Sequence, residues 1–205
     1  MQENRNISTY KQELKQRILK TAMSAFAEKG IKAVKMDDIA ALLSISKRTL
    51  YEIFQNKEDL LFEGVKTFHK QKQKQMELIG LTSKNVMEII MRVYKAKVQE
   101  FKMTNPVFYS DLSKYPTVLD FLNEENQKVH SKFVKFMKRG VKEGYFRKDI
   151  DYELTSRMFD ALEQFIMREE LYKVYSIEEI FKYIVFVSLR GLCTRKGVMM
   201  LETFE

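Results

Sequence analysis

A single cysteine, Cys193, occurs in 205 residues. That excludes an intramolecular disulfide and makes a reducing compartment the natural home of the chain; beside Gly191 and Leu192 the thiol reads as buried. Two prolines and seven glycines are too few for the frequent turns of a β-rich fold. No run of about 18 apolar residues occurs, so no segment is expected to span a bilayer. The opening residues, Met1-Gln2-Glu3-Asn4-Arg5-Asn6, lack the apolar core of a secretory signal, and a cytoplasmic protein is expected. His69 and His130 lie far apart, and neither has metal-ligand spacing to the other or to a cysteine. Glycine-rich phosphate loops and nucleophile elbows are missing as well. Glu163, Glu169 and Glu170 read as helix-surface carboxylates, so the expectation is no enzyme, no metal and no cofactor.

What is present suits a helical protein with a polyanionic partner. Hydrophobic residues at 45% and charged residues at 31% allow a real core. The net charge of +8 favours DNA, RNA or an acidic membrane without choosing among them.

The stretch that bears on this choice is Ser46-Lys47-Arg48-Thr49-Leu50-Tyr51-Glu52-Ile53-Phe54. Ser46 is a good N-cap, and Ile45 before it can fold over Leu50 as a hydrophobic staple. Leu50, Ile53 and Phe54 then fall on one side at helical spacing, leaving Lys47, Arg48, Thr49, Tyr51 and Gln55 on the other. Upstream, Met36, Ile39, Ala40 and Leu43 form a second short apolar stripe, with only a tight turn between. This spacing suits a helix-turn-helix whose second helix can lie in the DNA major groove, and equally an amphipathic helix pair with a basic outer face that never touches nucleic acid. Lys47 and Arg48 can reach base edges, an arginine gripping guanine O6 and N7 together. Thr49 and Tyr51 suit phosphate oxygens.

Around this pair, Leu14, Ile18, Ala22, Ala25 and Phe26 predict a platform helix stopped at Gly30. Asn56 can cap a fourth helix with Glu58 and Asp59 in its first turn. Lys57 then sits at a helix N-terminus, where it reads either as a phosphate ligand or as a solvated surface lysine. The polar run His69 to Gln75, with Gly80 and Thr82-Ser83 after it, places a domain boundary near residue 80. Farther on, Val86 to Phe101, Val118 to Val141, Leu154 to Ile166 and Ile177 to Leu192 each carry helical apolar periodicity. The last of these is apolar on most sides and must be covered on most sides, while Ser188 and Gly191 permit close approach of another helix. A two-fold dimer through the last two helices is expected, with Met158, Leu162, Phe165, Ile184, Ser188 and Gly191 at the interface.

Gly30, then Met36-Asp37-Asp38-Ile39-Ala40, Ile45 to Phe54, and Asn56-Lys57-Glu58-Asp59-Leu60 together resemble the DNA-binding domain of the TetR family of bacterial transcriptional regulators. The likeness covers about the first third of the chain. It implies an all-α fold: an N-terminal three-helix helix-turn-helix DNA-binding domain at residues 10–72, the motif itself at about 35–54. A C-terminal helical effector-binding and dimerisation domain follows at 80–205. It also implies a homodimeric repressor on a palindromic double-stranded DNA operator, contacted by Lys35, Ser46, Lys47, Arg48, Thr49, Tyr51 and Lys57. Release would follow binding of a small, apolar effector, still unknown, in a pocket of the body domain. Phe101, Phe108, Tyr109, Phe121, Phe133, Met137 and Phe159 are the candidate lining, although each also suits an ordinary helical core. The competing expectation is an architectural or partner-binding protein that coats DNA with no effector. Two departures from the family pattern stand out. Lys35 replaces the usual capping threonine, leaving the second helix capped by Asp37 or not at all; and Ser44 and Arg48 replace frequent glycines. Arg48 is the expected specificity determinant: Arg48→Ala should cost about 1–3 kcal/mol at one operator base pair, read by comparing affinities for single-base operator variants.

Overall fold

The computed structural model describes residues 2–203, with side chains throughout except at residues 2–8, 127, 129 and 130, so the side chain of His130 lies outside it. The expected all-α class holds, with no strand among the described residues. The helices are α1 (Gln2–Lys29), α2 (Met36–Leu42), α3 (Lys47–Ile53), α4 (Lys57–Thr82), α5 (Val86–Lys102), α6 (Pro106–Leu112), α7 (Pro116–Lys142), α8 (Tyr152–Arg168), α9 (Ile177–Ile180), α10 (Val187–Arg190) and α11 (Arg195–Glu202). A π-helical segment, Phe181–Phe186, joins α9 to α10. No helix among the described residues is long and apolar enough to cross a membrane.

Two compact units form, and they are not two consecutive stretches. Unit one is Met1–Gln73 together with Met103–Phe121; unit two is Lys74–Lys102 together with Leu122–Glu205. The change of unit falls inside α4, which runs unbroken through Gly80 instead of stopping there. A lone glycine in a helix costs only about 1 kcal/mol relative to alanine, and neighbouring turns absorb it.

In unit one, Leu14, Ile18, Ala22, Ala25 and Phe26 of α1 are buried, as their spacing predicts, with Ile31, Ile39, Leu60 and Leu61. Gly30 ends α1 with φ 85° and its amide on Phe26 O at 2.9 Å. A side chain there would be excluded twice: the conformation is left-handed, and a Cβ would lie 2.8 Å from Val107 Cγ1 of α6. Helix α6 sits this close because its polar groups finish α1. The Asn105 amide donates to Ala27 O at 2.7 Å, and the Asn105 side chain donates to Glu28 O at 3.2 Å. Both acceptors are carbonyls left over at a helix end.

The loop after α1 is held from two sides. Asp111 of α6 accepts the Lys32 amide at 2.8 Å, while the Lys57 ammonium donates to Ile31 O at 2.9 Å and Val34 O at 3.1 Å. Burial alone would raise the Asp111 carboxyl, but the Lys32 amide and the Lys114 ammonium outweigh it and hold it below the ordinary carboxylate value.

Unit two is built on Val86, Met87, Val134, Met137, Phe146, Tyr152, Phe186, Leu189, Leu192, Cys193 and Leu201. Glu143 at the end of α7 accepts the Val86 amide at 2.8 Å, capping α5, and the Arg139 guanidinium at 2.6 Å. A Cβ on Gly140 would lie 2.1 Å from the Phe146 ring, so that glycine makes room for a fully buried aromatic. Burial pushes the Cys193 thiol up to about 11, leaving it an inert core side chain at neutral pH. In this unit one helix goes beyond the expected set, as α6 does in unit one: α11, capped by Thr194, whose hydroxyl accepts the Gly197 amide at 3.2 Å, buries Leu201 completely.

Asp111→Ala would leave the Lys32 amide without its acceptor and should destabilise the protein by about 1–3 kcal/mol; Asp111→Asn, which keeps an acceptor oxygen, should lose less. Urea denaturation at pH 7 measures both. Because its folded-state value is lowered, the Asp111 contribution is present above the unfolded value and fades as pH falls through the folded one.

Candidate nucleic-acid interface

The connection between α2 and α3 is a tight, specified turn. Ile45 N–H reaches Ala40 O and Ser44 N–H reaches Ala41 O, each at 3.1 Å. This is the paired closure of a Schellman motif, and it needs a left-handed residue. Ser44 is that residue, with φ 53°, where glycine would carry no steric cost. Helix α3 begins one residue past the turn, at Ser46, whose Oγ accepts the Thr49 amide at 3.0 Å. Ser46 Oγ and Thr49 Oγ1 also share a hydrogen bond at 2.8 Å, so both hydroxyls have partners within the first turn of α3.

Behind α3, Leu50 is 0% and Phe54 1% exposed. In front, Lys47, Arg48 and Tyr51 are exposed. The helix therefore has the anchored back and open front that its sequence pattern predicts. The front cations do not stand alone. Lys47 Nζ lies 2.6 Å from Asp37 Oδ2 of α2, and Arg48 Nε lies 2.9 Å from Glu52 Oε1 one turn along α3. The side-chain hydrogen bond to Asp37 and its charge raise the Lys47 ammonium above its ordinary value. Both pairs are solvent-exposed, so each is weak and exchangeable.

The start of α2 differs from expectation. Its partner is Asp38, not Asp37: the Asp38 carboxylate accepts the Lys35 amide at 2.8 Å, while Asp37 is committed to Lys47. The Lys35 side chain has no lone pair to offer and is left exposed. At the next helix start, Asn56 Oδ1 accepts the Asp59 amide at 2.8 Å, as read from the sequence. Lys57 beside it, expected to face phosphate, turns inward to the two loop carbonyls described above and is half-buried.

The candidate effector residues separate between the units. Phe108, Tyr109 and Phe121 lie in unit one; Phe101, Phe133, Met137 and Phe159 lie in unit two. Phe121 packs edge-on against Phe62 at 5.8 Å and His69 at 5.7 Å, and Phe108 against Tyr109 at 5.5 Å. In unit two, Phe133 and Phe159 meet at 5.5 Å, and Met137 belongs to the closed core. An open depression of about 480 Å³ in unit two is lined by Tyr145, Arg195, Lys196, Met199 and Met200, none of them in the expected set. Among the described residues no cluster of histidine, cysteine or acidic side chains could hold a metal ion.

A stripe of apolar residues is left uncovered on α8: Leu154, Met158, Ala161 and Phe165, spaced to share one face, are all exposed. Tyr183 and Val187, one turn apart before and in α10, are exposed too. Leu162, Ile184 and Ser188 are half-covered beside them, and the Ser188 hydroxyl is returned to Ile184 O at 2.8 Å. Gly191 is exposed at the end of α10.

Residues 18–63 match the model of the bacterial regulatory proteins, tetR family. The HTH-type transcriptional repressor KstR2 of Mycolicibacterium smegmatis is 28% identical over 145 residues, covering 68% of this chain and 71% of that protein. The uncharacterized HTH-type transcriptional regulator YhgD of Bacillus subtilis is 29% identical over 149 residues, covering 69% and 76%. Two solved structures share the fold. A putative transcriptional regulator from Saccharomonospora viridis, in complex with choline, superposes with a TM-score of 0.72 at 20% identity over 90% of this chain and 100% of that one. KstR2 of Mycobacterium tuberculosis, a ketosteroid transcriptional regulator, superposes with a TM-score of 0.57 at 22% identity over 88% and 95%.

Lys57→Met keeps the aliphatic stem and removes the ammonium. With Ile31 and Val34 carbonyls losing a charged donor, chemical denaturation should show a loss of about 1.5–3 kcal/mol. A lysine serving DNA alone would leave stability unchanged.

Proposed function

The chain belongs to the TetR family of bacterial regulatory proteins and is a helix-turn-helix transcriptional regulator, and from that premise we propose that it represses genes by binding a palindromic operator as a homodimer. The observation that carries the reading is α3: a capped helix with Leu50 and Phe54 fully buried behind and Lys47, Arg48 and Tyr51 exposed in front. Lys47 and Arg48 supply base contacts; Tyr51 and Lys35 supply phosphate contacts that set register. Ser46 and Thr49 serve the helix start first, since their hydroxyls are already engaged. Lys57 sets the loop that carries Lys35, so its effect on DNA is exerted through that loop.

The uncovered stripes on α8 and α10 support a two-fold dimer through Met158, Leu162, Phe165, Ile184, Ser188 and Gly191. Contiguous exposed apolar residues on a helix face mark an association surface. A two-fold axis then presents two copies of α3 to one face of a duplex, which dictates inverted half-sites.

A small apolar effector fits the same reading. One relative in the fold is a ketosteroid regulator, and unit two offers the half-buried Phe101, Phe133 and Phe159. Its occupation can alter DNA binding only by favouring one conformation over another. The chain offers a route: α5 of unit two leads through residues 103–105 into α6, whose Asp111 holds the loop before α2, and α7 carries the chain back into unit two after Phe121. A cytoplasmic regulator without membrane attachment follows from the same set of properties.

Selection of bound duplexes from random DNA should return an inverted repeat for the native protein. Phe165→Glu should shift sedimentation from dimer to monomer and weaken binding of that repeat at least about tenfold, as expected when two linked half-site contacts become one. A protein that enriches no sequence over bulk DNA would instead be a coating protein.

A further inference from the structure

We infer that Glu52 is a positioning residue that sets the guanidinium of Arg48 for end-on reading of a base edge; the inference rests on the operator reading above. Arg48 and Glu52 lie one turn apart on the exposed side of α3, and Arg48 Nε donates to Glu52 Oε1 at 2.9 Å. A guanidinium has five N–H donors in one plane, one on Nε and four on the two Nη atoms. It can grip a guanine through both Nη atoms or through Nε and one Nη. While Glu52 holds Nε, the end-on fork is the one left free, so the pair biases Arg48 toward that grip. The Arg48 side chain is 89% exposed and has no packing to orient it; the Glu52 carboxylate supplies the orientation that packing does not.

The pair also changes what Arg48 contributes. A free arginine on a DNA-facing helix is drawn to any phosphate, and each such contact adds sequence-independent affinity that salt weakens. Glu52 neutralises that pull at short range, so Arg48 adds discrimination and little bulk attraction. Lys47 is organised differently. Its ammonium is a point charge held across the turn by Asp37 of α2 at 2.6 Å, and it has no planar fork to aim.

Removing the carboxylate therefore has a signature distinct from simple damage to the fold. Full-length native protein, Arg48→Ala, Glu52→Gln, Glu52→Ala and the Arg48→Ala/Glu52→Ala double variant are each put through selection from random duplexes. Titration of the selected site, its single-base variants and a non-specific duplex follows at several salt concentrations. Arg48→Ala identifies the base pair that Arg48 reads. Glu52→Ala is expected to lower preference at that same pair by about fivefold or more, within the range of a bidentate contact. It should also bind non-specific DNA more tightly, with a steeper salt dependence. Glu52→Gln, whose amide oxygen still accepts Nε–H, should keep most of the preference, and the double variant should lose no more than Arg48→Ala alone.

Unchanged preference in Glu52→Ala, or a loss at a different base pair, would overturn the positioning role, the second outcome making Glu52 a reader in its own right. Tighter binding to every duplex with preference intact would also overturn it, as a charge effect alone. A native protein that enriches no site would overturn the operator reading itself, and that result appears before any variant is compared.

Discussion

The loop between α1 and α2 is held by two opposite charges acting on its backbone: the Lys57 ammonium on the Ile31 and Val34 carbonyls and the Asp111 carboxylate on the Lys32 amide. Neither interaction is between side chains, so each fixes the main chain directly. Everything downstream starts from that loop. Lys35 and Asp38 begin α2 at its end, the Schellman turn through Ser44 leads to Ser46, and Ser46 opens α3. Hydrogen bonds to charged groups are about twice as strong as neutral ones, which suits a loop whose buried side chains are Ile31 and Val34 alone. Lysine at position 57 thus has a structural use in the carbonyls it holds.

The same division of labour runs through α3. Its buried side supplies position through Leu50 and Phe54, while its exposed side carries charge already balanced within the protein, Lys47 by Asp37 and Arg48 by Glu52. Under the proposed operator reading, balanced pairs would keep α3 from acting as a general polycation, and the overall charge of +8 would supply the attraction. Attraction and discrimination would then rest on different residues.

Much of this was legible in the chain. Helical spacing of Leu14 to Phe26 and of Leu50 with Phe54 predicted which faces are buried, because burial imposes a period that composition preserves. Ser46, Asn56 and Gly30 announced helix ends through local backbone chemistry. Harder to read were contacts between side chains and distant backbone. Asp111 on Lys32 N spans 79 residues and leaves no periodic trace, so the membership of α6 in unit one was invisible. Lys57 read as outward because a helix N-terminus favours anions, a rule that does not register two carbonyls waiting on a neighbouring loop. The effector set failed to converge on one unit for a related reason: aromatic residues fill cores and cavities alike, and only three-dimensional packing separates the uses. Thr194 caps α11 and is the local signal for a helix that the expected set lacks.

The path of the backbone has a consequence for how such a protein can be taken apart. The chain passes between the two units after residues 73, 102 and 121, so no single cut separates them. A fragment ending at residue 73 carries α3 intact and yet lacks Asn105, Val107 and Asp111, leaving the end of α1 and the Lys32 amide open to water. Grafting that fragment onto a foreign body by one recombination joint would transplant the reading helix without the brace beneath it. A working chimaera must bring residues 103–121 along, or supply another carboxylate where Asp111 stood.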